Sequence, residues 1–143
     1  MRVFVVMLLV ACRISLDDGA PADATGGDSS CAQAQPSLAW IEPHIFRGCS
    51  VSTSCHGGTA HQADDLVLSA GVARDNLVGK SSREAPAWTL VTPGDAEHSY
   101  LMVAVGAIAG PLPKDGVMPL IAAPLCAEKL DALQAWIAAG ADR

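Results

Sequence analysis

The chain has few aromatic side chains, few basic ones, no internal repeat and no run of like charge. Past the first eleven residues its Phe, Tyr and Trp side chains are Trp40, Phe46, Trp88, Tyr100 and Trp136. A core built from this chain alone therefore has few large fillers and depends on close packing of Ala, Leu, Val and Ile, or on a bulky ligand. Nine Lys and Arg against fifteen Asp and Glu leave a formal charge of −6. Nucleic acid or an anionic lipid surface needs a concentrated basic face, so neither is expected as the main partner. A mildly acidic surface suits a basic protein partner, and it equally suits plain solubility. Local signs of a hydrolytic nucleophile, base and oxyanion pocket are also lacking, which argues against an enzyme of that kind.

The N-terminus carries an apolar run, Val3 to Val10, after the single charge of Arg2. It is too short to cross a bilayer and fits the apolar centre of an export signal. Leu9-Val10-Ala11-Cys12 then reads as a lipobox, so residues 1–11 are expected to be removed and Cys12 to be acylated. Residues 12–36, rich in Asp, Gly, Ala, Ser and Pro, read as a flexible tether with ends roughly 25–30 Å apart on average. Residues 37–143 are enough for one domain.

The chemistry concentrates in Cys49, Cys55-His56 and Met118-Pro119. Two thiols, an imidazole and a thioether form the ligand set of a covalently held haem. Two cysteines bond the porphyrin vinyl groups, and the imidazole next to the second is thereby delivered to one face of the iron. A methionine from a distant loop closes the other face, and His/Met ligation raises the reduction potential and leaves no open position for substrate. Met118 sits in such a loop, after Gly110-Pro111-Leu112-Pro113-Lys114-Asp115-Gly116, and loops carry ligands readily. Met102, among Leu101, Val103 and Val105, reads as core filler.

In order, Ile45-Phe46 before Cys49, Cys55-His56-Gly57-Gly58, Thr92-Pro93-Gly94-Asp95 with Ser99-Tyr100-Leu101, Met118-Pro119, and Trp136-Ile137-Ala138-Ala139-Gly140-Ala141 span Pro43 to Ala141. This series resembles the cytochrome c family, and more closely the cytochrome c-like domains of bacterial lipoproteins. The resemblance implies a mostly α, small helical domain with long loops, holding haem c. It implies His56 as proximal ligand, Met118 as distal ligand, and Cys55 and Cys49 as attachment sites. One departure stands out: the family usually has two residues between its cysteines, with three or four as variants, and this chain has the five residues 50–54. Those extra residues must bulge outward if both thiols are to reach the vinyl positions.

The remaining cysteines leave several arrangements open. If Cys49 and Cys55 hold haem, Cys31 and Cys126 are the leftover pair. Without haem, three complete pairings of the four are available and sequence does not choose among them. A hybrid has Cys55 alone on the haem, Cys49 bonded to Cys126, and Cys31 unpaired. Cys126 is equally readable as a small core hydrophobe.

For secondary structure, Cys126, Leu130, Leu133 and Ile137 fall at helical spacing, which predicts an amphipathic helix over residues 124–139 ending at Gly140. A second helix is expected from Thr92 to about Val105, with Pro93 at its first position and Asp95 completing a cap. A third, around residues 38–47, is interrupted by Pro43. Residues 57–91 read as loop with brief apolar runs. His44, His61 and His98 read as surface histidines and are assigned no role.

Together these readings give a His/Met-ligated electron carrier, lipid-anchored on the periplasmic side of a bacterial envelope and exchanging electrons with redox partner proteins. A weak peroxidase activity would require an open distal position. Two alternatives are a disulfide-stabilised non-haem lipoprotein module and a copper site using the same soft ligands.

Overall fold

The computed structural model describes residues 29–58 and 63–143. The export signal, Cys12, the first part of the tether and His61 lie outside the described residues. Within them the protein is mostly helical: α1 (Leu38–Ile41), α2 (Arg47–Cys49), α3 (Ala73–Leu77), α4 (Tyr100–Ala104) and α5 (Ala127–Ala138), with 3-10 turns at Cys31–Gln33 and Ala63–Asp65. No strand forms among the described residues; isolated bridges such as Val78 with Val91 and Thr89 with Ser99 stitch the loops. No helix among them is long and apolar enough to cross a membrane.

Pro43 does not end the first helix. The chain passes from α1 to α2 through a π-helical segment, Glu42–Phe46, with Pro43 in its first turn. Proline lacks an N–H and its ring crowds the carbonyl four residues back, and widening the turn relieves both problems. The result is a continuous helical run from Leu38 to Cys49, which brings Ile41, Ile45 and Phe46 into the core.

The α5 helix is shorter at its start than its apolar spacing suggests. Cys126 occupies the N-cap position with extended backbone, and helical geometry begins at Ala127. Its inner face buries Leu133, Trp136 and Ile137, and Trp136 meets Phe46 edge to face at 6.4 Å between ring centroids. Such edge-on pairs add to the area they bury. Gly140, at φ 109°, turns the chain out of the helix, which its lack of Cβ permits.

The expected helix from Thr92 is a correction. Gly94 takes a left-handed φ of 81° and donates its N–H to the Ile137 carbonyl at 2.8 Å, which ties this turn to α5. Asp95 accepts from the His98 N–H at 3.1 Å, and the buried Ser99 hydroxyl donates to the Asp95 carbonyl at 2.7 Å. Side-chain bonds of this kind compete with helix formation. The helix therefore starts only at Tyr100, with Ser99 at its N-cap. The loop expected between His56 and Thr92 contains one short helix, α3, whose Ala73 and Leu77 are buried.

The tether expected to reach Pro36 is held to the body from Cys31 onward. Cys31 and Cys126 are joined by a disulfide, and Ala34 packs against the core. That bond fastens the chain before α1 to the start of α5.

Candidate functional site

The helical run through α2, the loop that follows, α4, and the loop at 113–121 enclose one cavity of about 710 Å3. Ligand cavities commonly measure about 300–1,000 Å3. Cys49, Cys55, His56 and Met118, far apart in the chain, all line it. Ile45, Phe46, Leu101 and Leu133 supply apolar wall.

Cys49 ends α2, and its Sγ–H points back to the Ile45 carbonyl at 3.6 Å. Burial, and secondarily the neighbouring Cys55, push its thiol up from 9.0 to about 11. It is therefore a neutral thiol at physiological pH. Both cysteines are free, while Cys31 and Cys126 are bonded to each other. The pairing of Cys49 with Cys126 weighed from sequence is not the one in the structure.

The five residues between the cysteines form a largely exposed turn, of which Ser52 and Ser54 also line the cavity. Residues 51–54 are exposed, and the loop closes through the His56 N–H donating to the Cys49 carbonyl at 3.0 Å and the Cys55 N–H donating to the Ser52 carbonyl at 3.1 Å. Gly57 lies beneath this turn: a Cβ there would meet the carbonyl oxygens of Ser50 and Ser52, the latter at 2.8 Å. Glycine is needed for close backbone approach, and that approach lets the long insertion turn back on itself.

His56 is held by its other ring nitrogen. Nδ1 lies 3.0 Å from the Leu66 carbonyl. A carbonyl only accepts, so Nδ1 carries a proton, which in the neutral ring leaves Nε2 as the nitrogen with the lone pair, the usual arrangement of a metal-binding imidazole. The same backbone is anchored once more, by the Leu68 N–H donating to the His56 carbonyl at 2.7 Å.

Met118 reaches the cavity because its loop is pinned to α4: its N–H donates to the Ala104 carbonyl at 2.8 Å. The Met118–Pro119 peptide bond is cis. Met102 is fully buried in the core.

His44 and His98 have partners of their own. His44 stacks on Trp40 with centroids 4.4 Å apart and bonds the Trp40 carbonyl at 2.7 Å. His98 bonds Asp95, chiefly through its side chain, and holds that carboxyl below its usual range. The one grouping of three His, Cys, Asp or Glu side chains among the described residues whose ligand atoms lie within 4.8 Å of one another is Cys31, Cys126 and Glu128, and there the two sulfurs are spent in their disulfide.

Sequence reasoning gave no role to the polar wall of the cavity. Lys80, Arg83, Glu84 and Lys114 line it, and Arg83 pairs with Asp65. Lys114 sits 3.7 Å from Glu84 and 3.9 Å from Asp64. Tyr100, the single tyrosine of the chain, also lines the cavity. Nothing in local sequence marks Lys80, Arg83, Glu84 and Lys114, because the fold alone brings the two segments together, with the Lys114 N–H donating to the Glu84 carboxylate at 3.3 Å.

No protein-family model, curated protein or solved structure matches the chain.

Proposed function

We propose that the protein is a haem-binding electron carrier of cytochrome c-like design, tethered at a bacterial envelope through Cys12 and exchanging electrons with redox partner proteins. The observation that carries this reading is the convergence of Cys49, Cys55, His56 and Met118 on one cavity. The donor set and the size of the cavity suit haem c: Cys49 and Cys55 would hold it, and His56 and Met118 would ligate its iron. When bound, haem supplies a one-electron iron centre whose His/Met ligation leaves no position open for substrate.

The protein's own part is orientation and exclusion of water. The Leu66 carbonyl fixes the His56 ring so that Nε2 is the free donor. Phe46, Leu101 and Leu133 keep the cavity wall apolar, and an apolar surrounding is one of the factors that set a haem potential.

The second reading is an exported, disulfide-stabilised non-haem module that binds an apolar ligand in the same cavity, and the Cys31–Cys126 disulfide is compatible with either.

Single substitutions test the ligand roles. In protein produced with haem-attachment machinery, His56→Ala should abolish stable haem binding, and Met118→Ala should keep haem while shifting its spectrum and potential. Unchanged spectra in both variants would defeat the assignment.

A further inference from the structure

The exposed large apolar side chains of the described residues gather mainly in the loop before α5. Leu112, Val117 and Leu120 are exposed, and Ile121 is 85 % exposed. Ala122, Ala123 and Pro124, which follow, are exposed as well. From residue 116 to residue 127 the sequence has no charged side chain and no polar one beyond the thiol of Cys126, which the disulfide consumes. A contiguous apolar stretch on a protein surface marks a place where something apolar binds. The loop is also held in place. Gly116 donates its N–H to the Pro113 carbonyl at 2.9 Å, Met118 donates to the Ala104 carbonyl at 2.8 Å, and the far end is fixed at Cys126.

The point where the tether leaves the domain says what covers this loop. Cys31 is bonded to Cys126, with Cα atoms 6.3 Å apart, so the tether departs from the foot of the loop, a few residues after Ile121. Residues 13–30 separate Cys12 from Cys31, and a flexible coil of that length spans roughly 21–25 Å on average. A lipid anchor at Cys12 therefore keeps the loop near the bilayer at an effective concentration on the order of millimolar, where even a weak apolar contact is populated. The lack of charge fits a neutral lipid surface. Anionic lipids hold proteins through clustered basic side chains, which this loop does not offer, and zwitterionic headgroups do not oppose the chain's charge of −6. Irregular backbone cannot enter hydrocarbon, where its polar groups would lose water, so such a loop settles at headgroup depth.

We propose that the 116–127 loop docks on the neutral lipid surface to which Cys12 is anchored, with Leu120 and Ile121 at the headgroups. The inference rests on the acylation of Cys12 proposed above and is independent of haem. Met118, Pro119, Leu120 and Ile121 also line the cavity, so docking sets this side of the cavity against the membrane and leaves the others to partners.

The test uses the full acylated chain, purified from host membranes and reconstituted in phosphatidylcholine vesicles, with the mass of the Cys12 peptide reporting the lipid. Ile121→Trp is the reporter, at a position too exposed for the change to disturb the core, and wild type supplies the background of Trp40, Trp88 and Trp136. Reporter emission should shift to the blue, and it should lose intensity when the lipid is brominated near the headgroup end of its acyl chains, while wild type changes little. High salt should leave both effects in place, since the loop has no charge to screen. Adding Leu120→Asp should weaken docking at least roughly tenfold, the effect of losing one large apolar side chain from the contact, and should restore the emission. Ala123→Asp, exposed and outside the cavity lining, repeats this at a position whose change leaves the fold alone. An acylated reporter that emits as in water and is not quenched overturns the docking, leaves the tether standing and assigns the loop to a protein partner. Quenching that survives both Asp variants, or that vanishes in high salt, also overturns it, because the apolar loop is then not what holds the domain. A chain without lipid on Cys12 overturns the tether reading and this inference with it.

Discussion

Cys49 offers the sharpest quantitative test of the cavity's environment before any haem is present. Its Sγ–H faces the Ile45 carbonyl, and burial with the help of Cys55 moves its thiol from 9.0 to about 11. At pH 8 an ordinary cysteine is about one-tenth thiolate and a group near 11 about one-thousandth, so alkylation of Cys49 should be roughly a hundredfold slow. Iodoacetamide labelling of the haem-free chain, under conditions that keep the Cys31–Cys126 disulfide, with peptide mass mapping across pH, measures this. The Cys49 rate should still be climbing above pH 10 and reach half its limiting value near 11. Cys55→Ser should lower the midpoint only in part, because burial is the larger cause. The same shift is linked to stability. The folded value lies above the unfolded one, so about 2–3 kcal/mol is fully present below pH 9.0 and is lost as pH rises through about 11. A Cys49 midpoint near 9 would refute the reasoning, since the thiol would then not be buried in the cavity wall.

Gly57→Ala should lower stability by about 1–3 kcal/mol, because its Cβ collides with the Ser50 and Ser52 carbonyls rather than with a yielding side chain; urea melts of the haem-free chain measure it. Replacing Cys31 and Cys126 together by Ala opens a link between residues 95 apart in sequence. The chain-entropy account expects a loss of about 2–5 kcal/mol in the same assay, with the Cys49 alkylation profile unchanged.

The α5 helix was legible because Leu130, Leu133 and Ile137 repeat at helical spacing around Trp136, and a pattern that long survives its surroundings. Its first turn was not, since the disulfide fixes Cys126 with extended backbone at the N-cap. Thr92-Pro93-Gly94-Asp95 has the composition of a helix start. What overrides it is tertiary: the Gly94 N–H goes to Ile137 in α5, and Asp95 spends its oxygens on His98 and Ser99. Pro43 signalled an irregularity correctly, but whether a proline breaks a helix or widens it depends on the packing of Ile41, Ile45 and Phe46. The α3 helix is one turn long and leaves too little periodicity to read.

At the site, Cys55 and His56 were legible because covalent adjacency alone keeps them together. Met118 was legible only as a residue type in a loop; its place in the cavity depends on its backbone bond to Ala104. The Leu66 carbonyl behind His56 left no sequence signal of its place, because it is a backbone atom that only the fold brings to the ring.

The central claim is that this cavity holds covalent haem. The most direct measurement is a reduced pyridine haemochrome spectrum, with haem staining after denaturing electrophoresis, on the full chain expressed alongside cytochrome c maturation machinery. The account predicts a stained band and a haemochrome shifted from that of free protohaem, its position reporting one or two thioethers at Cys49 and Cys55. An exported, folded chain with Cys31 bonded to Cys126 and no covalent haem would contradict it.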